Sequence, residues 1–168
     1  MIQEYSRYKV LKVFLDSPTH KFKIREIGRI INLAPTSIKN HIDILEKKKI
    51  IIKKKEMNYN TYTYYSNKDN PDFIFLQQQS IISELYYSNI INELWEYLAP
   101  KAIILYGSYA KGEATENSDI DLFIIGKEKN LDTSNYEKRL NKKLHINFSE
   151  SFNNLSNELK NNIINGKI

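Results

Sequence analysis

Residues Asp119 to Ile125 read DIDLFII, and no other segment narrows so far what this chain can fold into. The run is a buried strand, and its two aspartates stand two apart, so a pleat of period two turns both carboxylates to the same side. A second apolar run, Ala102 to Tyr106 (AIILY), precedes it and leads directly into Gly107-Ser108. The expected core is therefore a sheet that brings together a turn rich in backbone N–H groups and a pair of carboxylates.

That pairing has a chemical direction. A Gly-Ser turn can close around an anion without crowding it. A short helix beginning at Tyr109 to Lys111 adds its dipole at the same place, and Gly112 suits the end of that helix. Two same-face carboxylates suit a divalent metal; Mg²⁺ in particular takes one or two protein carboxylates and fills its shell with phosphate oxygens and water. The expected ligand is an NTP with Mg²⁺. Gly107, Ser108, Lys111 and Ser118 are the expected nucleotide-binding positions, and Asp119 and Asp121 the metal-binding and catalytic pair.

The stretch GSYAKGEATENSDIDL resembles the signature of the minimal nucleotidyltransferases, within the polymerase-beta-like nucleotidyltransferase superfamily. The resemblance implies a small mixed sheet, Gly107 and Ser108 on the triphosphate, Asp119 and Asp121 on the metal, and transfer of a nucleoside monophosphate from an NTP, with ATP the expected one. The family also supplies a third carboxylate from a neighbouring strand. Here that strand is expected at Leu144 to Phe148 (LHINF), whose alternation puts Leu144, Ile146 and Phe148 on one face and His145 and Asn147 on the other. Asn147 then stands where the third acid is expected. An amide oxygen can coordinate a metal but is neither charged nor a base, so Mg²⁺–NTP binding is expected and turnover is left open. Glu150, Glu113 and Glu116 are alternative carboxylates away from the expected strand position.

The chain has no cysteine, which excludes disulfides and thiolate metal sites. His20, His41 and His145 are far apart in sequence and read as surface or structural residues. No stretch is long and apolar enough to cross a membrane, and the N-terminus lacks the apolar core of a signal peptide, so a cytoplasmic location without membrane partners is expected. Charge divides unevenly: residues 1–66 carry +8 and residues 67–168 carry −3. A basic module for a polyanion joined to a mildly acidic functional domain fits that asymmetry.

The basic part has its own pattern. Apolar positions Tyr8, Leu11 and Leu15 give a first helix that should stop at Asp16-Ser17-Pro18; Ile24, Ile27 and Ile31 give a second; Pro35 opens a third with Ile38, Ile42 and Leu45 inward. Ile50 to Lys55 and Tyr59 to Tyr65 read as a hairpin reversing at Met57-Asn58. The order resembles a winged helix-turn-helix, with Thr36 to Lys47 as recognition helix and Lys53 to Asn60 in the wing. Double-stranded DNA is the implied partner, met by Thr36, Ser37, Lys39 and Asn40 in the major groove and by Lys53, Lys54 and Lys55 on phosphates.

The expected architecture is α+β: a winged helix-turn-helix over residues 1–66, a linker and connecting helix over 67–99 beginning with the polar, proline-bearing NKDNPD, and a small mixed-sheet nucleotidyltransferase domain over 100–168. Between Phe73 and Leu98 the apolar face switches near Ser88-Asn89, as it would in one helix with two opposed faces or in two helices; dimerisation through it is a third reading. The chain looks like proteins, mostly archaeal, that fuse these two modules. Three functions follow: a DNA-binding regulator that binds NTP–Mg²⁺ and transfers a nucleotide to an unknown acceptor, a nucleotide-sensing regulator without turnover, or an antitoxin-like nucleotidyltransferase acting on a partner toxin.

Overall fold

The computed structural model describes residues 5–57, 61–155 and 157–164, and none of its helices is long and apolar enough to cross a membrane. The chain divides into two compact units, Met1–Leu76 and Gln77–Ile168. The division falls inside a helix.

The first unit holds α1 (Ser6–Asp16), α2 (Ile24–Ile31), α3 (Pro35–Lys47), β1 (Ile51–Lys55), β2 (Tyr62–Ser66) and the first residues of α4 (Pro71–Tyr87). Helix α1 stops at Asp16 because Pro18 pushes the residue before it away from helical geometry. Pro35 occupies the first turn of α3, where its missing N–H costs nothing. Between α2 and α3 the chain turns sharply through Asn32, left-handed at φ 51°, and Leu33 N–H donates to Gly28 O at 3.2 Å. Gly28 lies close against that turn: a Cβ there would stand 3.0 Å from Leu33 O and 3.3 Å from Ile38 Cδ1. Val10, Phe14, Ile27, Ile38 and Ile42 are fully buried around the junction, joined by Ile51, Tyr64 and Phe73.

Strands β1 and β2 pair antiparallel from Ile51↔Ser66 to Lys55↔Tyr62. Phe22 extends the ladder, exchanging backbone hydrogen bonds of 2.8 and 2.9 Å with Tyr64. Three helices followed by a hairpin is the winged helix-turn-helix order. The second strand begins at Tyr62 rather than Tyr59, and the expected reversal at Asn58 lies outside the described residues.

The second unit takes the rest of α4, then α5 (Ile90–Leu98), β3 (Ala102–Tyr106), α6 (Gly107–Lys111), β4 (Ile120–Ile125), α7 (Ser134–Leu140), β5 (Leu144–Ser149) and α8 (Asn157–Ile164). The stretch from Phe73 to Leu98 is two helices. They part where the apolar face switches, at Asn89, left-handed with φ 62°. The expected terminal helix is shorter: Phe152–Asn154 forms a 3-10 turn before α8.

The sheet order is β3-β4-β5, with β3 antiparallel and β4 parallel to its neighbour. It is a mixed sheet, and α7 makes the crossover that a parallel pair requires. One face is covered by α4, α5 and α7, with Leu94, Ile120 and Ile124 buried in that layer. On the other, Ile163 meets Ile104 and Phe123, and the face runs out at Asp121. The chain is thus α+β, with the acidic pair at the end of the sheet where β3 runs into the Gly107 turn.

Candidate functional site

Register alone brings the expected residues together. Tyr106, last in β3, pairs with Asp121 in β4, so the turn that follows Tyr106 begins beside that carboxylate. Gly107 takes φ 72°, a left-handed value open to glycine. A Cβ on Gly107 would stand 2.2 Å from Asp121 Oδ2, so the carboxylate fills the space that a side chain would need. No other residue type fits there without moving Asp121.

Helix α6 is held firmly. Tyr109 and Ala110 are buried in the core, Gly112 ends the helix left-handed at φ 73°, and Gln78 Nε2 donates to Ala110 O at 2.8 Å while Gln77 Nε2 donates to Ala114 O at 2.9 Å. These bonds fix the turn bearing Gly107 and Ser108. Ser108 is half-buried, and its carbonyl accepts from Glu113 N–H at 2.9 Å. Lys111 is exposed at the end of α6. Ser118 is engaged in the loop itself, its Oγ accepting from Thr115 N–H at 2.8 Å and lying 3.2 Å from Thr115 Oγ1. That hydroxyl shapes the approach to Asp119.

Asp119 lies just before β4 and Asp121 within it. Asp121 is the more enclosed, its side chain 26% exposed against 39% for Asp119. Burial holds the Asp121 carboxyl above the ordinary carboxylate range; the nearby charge of Asp119 adds to the rise and His145 opposes both.

The third strand adds to the reading of the histidines. His145, expected to be a surface or structural residue, stands opposite Asp121 in the β4–β5 register, and its ring lies between the two carboxylates: Nε2 is 3.7 Å from Asp119 Oδ2 and Nδ1 is 3.7 Å from Asp121 Oδ1. These are electrostatic contacts, longer than hydrogen bonds. Asn147 pairs one step further along, with Phe123, and its Nδ2 donates to Tyr106 Oη at 2.8 Å. Burial raises the Tyr106 hydroxyl pKa, Asn147 lowers it and the Asp121 charge raises it again, so that phenol stays neutral and available to Asn147. The sequence showed only that His145 shares a strand face with Asn147; the β4–β5 register is what sets it level with Asp121.

Among the described residues no three His, Cys, Asp or Glu side chains converge as a ready-made metal cage. A hard cation bound along with phosphates does not need one, since one or two carboxylates suffice and substrate oxygens and water complete the shell. Asp119 and Asp121 fit that demand, with the Asp121 carboxylate set directly against the Gly107 backbone.

In the first unit, Thr36, Lys39 and Asn40 are exposed on the opening turns of α3 and Ser37 is half-buried. Lys39 Nζ donates to Asp43 Oδ2 at 2.8 Å, a bond that raises the lysine's pKa. Lys53 lies over the Tyr62 ring, 4.3 Å from its centroid. Strand alternation turns Lys53 and Lys55 to one side of β1 and Lys54 to the other, so the three lysines do not make a single row.

Comparison with known proteins bears on the second unit. Residues 87–167 match the family described as Nucleotidyltransferase domain. A 26-residue segment is 65% identical to a curated protein of Methanocaldococcus jannaschii named "Putative protein adenylyltransferase", covering 16% of this chain and 26% of that one. The match thus spans about a quarter of that relative's length. A solved structure of a mutant of Lactococcus lactis ZitR superimposes with a TM-score of 0.41 at 8% identity, over 53% of this chain and 60% of that one. The strand register and the glycine turn both fall within residues 87–167, the segment that matches the nucleotidyltransferase domain family.

Proposed function

We propose that this chain is a DNA-binding protein whose nucleotidyltransferase domain binds an NTP with Mg²⁺ and transfers a nucleoside monophosphate to an acceptor hydroxyl. The observation that carries the nucleotide half is the fit of the Asp121 carboxylate into the space left by Gly107. Backbone donors for phosphate and oxygen ligands for a cation meet there at one point.

Each residue then has a task. The Gly107-Ser108 turn supplies uncharged donors to the outer phosphates, which hold charge without competing for the cation. Asp119 and Asp121 would hold Mg²⁺, which when bound screens the phosphates and stabilises charge developing on the departing group. Asn147 and Tyr106 act as a brace, keeping β3 and β5 aligned on either side of Asp121. His145 takes the position next to both carboxylates, where its imidazole orders them before ligand arrives.

The DNA half is supported by the +8 charge of residues 1–66, by the exposed Thr36, Lys39 and Asn40 at the start of α3, and by the lysines of β1. The adenylyltransferase name of the Methanocaldococcus relative supports ATP as the donor and a protein as the acceptor class. A second reading, nucleotide sensing without transfer, is favoured by one observation: the residue opposite Asp121 is an imidazole and not a carboxylate.

Titration calorimetry of the full chain with ATP is expected to show binding that requires Mg²⁺ and is lost in Asp119→Ala combined with Asp121→Ala. Absence of Mg²⁺-dependent binding in the unaltered chain would overturn the reading. Binding without any release of pyrophosphate over a panel of hydroxyl acceptors would select the sensing alternative.

A further inference from the structure

We propose that the acceptor is an extended polypeptide segment that adds to the outer edge of β5 as a fourth strand. The proposal rests on the nucleotidyl-transfer reading above and assigns the place of its second substrate.

The edge is defined by the ladder. Ile120 N–H donates to Lys143 O at 2.9 Å and Gly126 N–H donates to Ser149 O at 3.0 Å, so residues 143, 145, 147 and 149 turn their main chain toward β4. Leu144, Ile146 and Phe148 then turn their N–H and C=O groups outward, because a strand alternates. The Leu144 N–H is taken by Glu137 Oε1 at 3.1 Å. The outward groups of Ile146 and Phe148 have no partner among the described residues. Such a row is a template for another extended chain.

Space lies beside it. A cleft of about 770 Å³ is lined by β5 from Leu144 to Phe148 and by the segment carrying Glu128, Lys129 and Leu131. His145 belongs to both places: it lines this cleft and stands 3.7 Å from each carboxylate. A segment laid along β5 therefore passes within one side chain of the acidic pair. Across the sheet the order is Gly107-Ser108 at the end of β3, Asp121 on β4 and His145 on β5, so donor phosphates and acceptor reach the carboxylates from opposite sides, as an in-line displacement needs.

The edge favours polypeptide over nucleic acid. Its outward groups repeat every two residues, about 6.6 Å, which matches an extended peptide backbone. The charged side chains at the cleft, Glu128 and Lys129, are of opposite sign, where a nucleic-acid backbone requires a basic wall. In the step itself, a serine, threonine or tyrosine hydroxyl oxygen bonds to the α-phosphorus, the bond from that phosphorus to the bridging oxygen of the β-phosphate breaks, pyrophosphate leaves with the electron pair, and the hydroxyl proton passes to water.

The test uses the full chain and a random heptapeptide library displayed on phage. Enriched peptides are synthesised and added without nucleotide while amide hydrogen exchange is followed by NMR. Exchange at Ile146 and Phe148 is expected to slow by about tenfold or more, and N-methylation of alternate peptide amides is expected to abolish that protection. Hydroxyl-bearing peptides that dock should then take label from an NTP labelled at the α-phosphate. The proposal is overturned by a library that enriches nothing, by peptides that protect other amides, by docked peptides that never take label, or by sedimentation showing that a second copy already pairs along β5. Calorimetry with ATP and Mg²⁺ on the same sample separates the two levels: intact nucleotide binding with failed docking overturns only this inference, and lost nucleotide binding overturns the reading beneath it.

Discussion

At the scale of single residues, the site turns on one contact, Gly107 against Asp121. Gly107→Ala sets a Cβ into the carboxylate and places a side chain at φ 72°, so both the turn and Asp121 must shift. The expected result is a loss of ATP affinity of at least about tenfold, equal to 1.4 kcal/mol or more, with far-ultraviolet circular dichroism unchanged. Asp121 also carries a cost in the absence of ligand. Its carboxyl titrates above its unfolded value because burial and Asp119 disfavour the charge, so the folded unit holds a proton that the unfolded chain has released, and stability falls as pH rises through the folded value. Asp121→Asn is accordingly expected to raise the thermal midpoint at neutral pH while abolishing Mg²⁺-dependent binding, and the gain should vanish in acid where both states are protonated. Melting curves at the two pH values check the sign. Removing the His145 imidazole should push Asp121 further up, seen as a higher carboxyl titration midpoint by NMR in His145→Ala. The aspartates and the glycine were legible because short-range rules place them: strand parity for the carboxylates and φ for the glycine. His145 was not, because its partner residues are 24 and 26 positions away and only the β4–β5 register brings them to it.

At the scale of elements, the two helical junctions show what local chemistry can specify. The tight turn between α2 and α3 passes close to Gly28, where a methyl group would crowd the Leu33 carbonyl at 3.0 Å. Gly28→Ala should cost about 1–3 kcal/mol through overpacking, measured by denaturant unfolding of the full chain, with ATP affinity unaffected. The break between α4 and α5 falls at Asn89, one of the few residue types that tolerate a left-handed φ. Sequence showed the switch of apolar face but left one helix or two undecided, since either satisfies the pattern. Burial separates the segments: Ile81 and Leu85 lie in the same core as Ile90, Leu94 and Leu98, which one straight helix with opposed faces could not arrange.

For the molecule as a whole, the uneven charge becomes a prediction about DNA. Lys53 and Lys55 share one side of β1, and Lys54 faces the other. If the basic unit grips duplex phosphates through that side, Lys53→Ala with Lys55→Ala should reduce the slope of log affinity against log salt by about 2 in magnitude, whereas Lys54→Ala should change it by less than about 1. Fluorescence anisotropy with a duplex at several salt concentrations reads both slopes. Equal effects of the three lysines, or none, would sink the assignment of β1 to phosphate contact. The two units have separate cores, so the same variants should leave ATP binding unchanged.

Sequence by itself determined the parts of this protein that depend on spacing along the chain: the strand with two same-face carboxylates, the glycine turn before it, the helix starts at Pro35 and stops at Asp16, and the charge difference between halves. These follow from φ preferences and from periods of 2 and 3.6, which need no distant partner. The tertiary structure alone decided which β5 residue meets the carboxylates, that Asn147 bonds to Tyr106, that the Ser118 hydroxyl accepts a bond within its own loop, and that the outward groups of Ile146 and Phe148 have no strand partner among the described residues. Those facts depend on register between strands, and a shift of two residues would preserve every face while exchanging His145 for Asn147 beside Asp121.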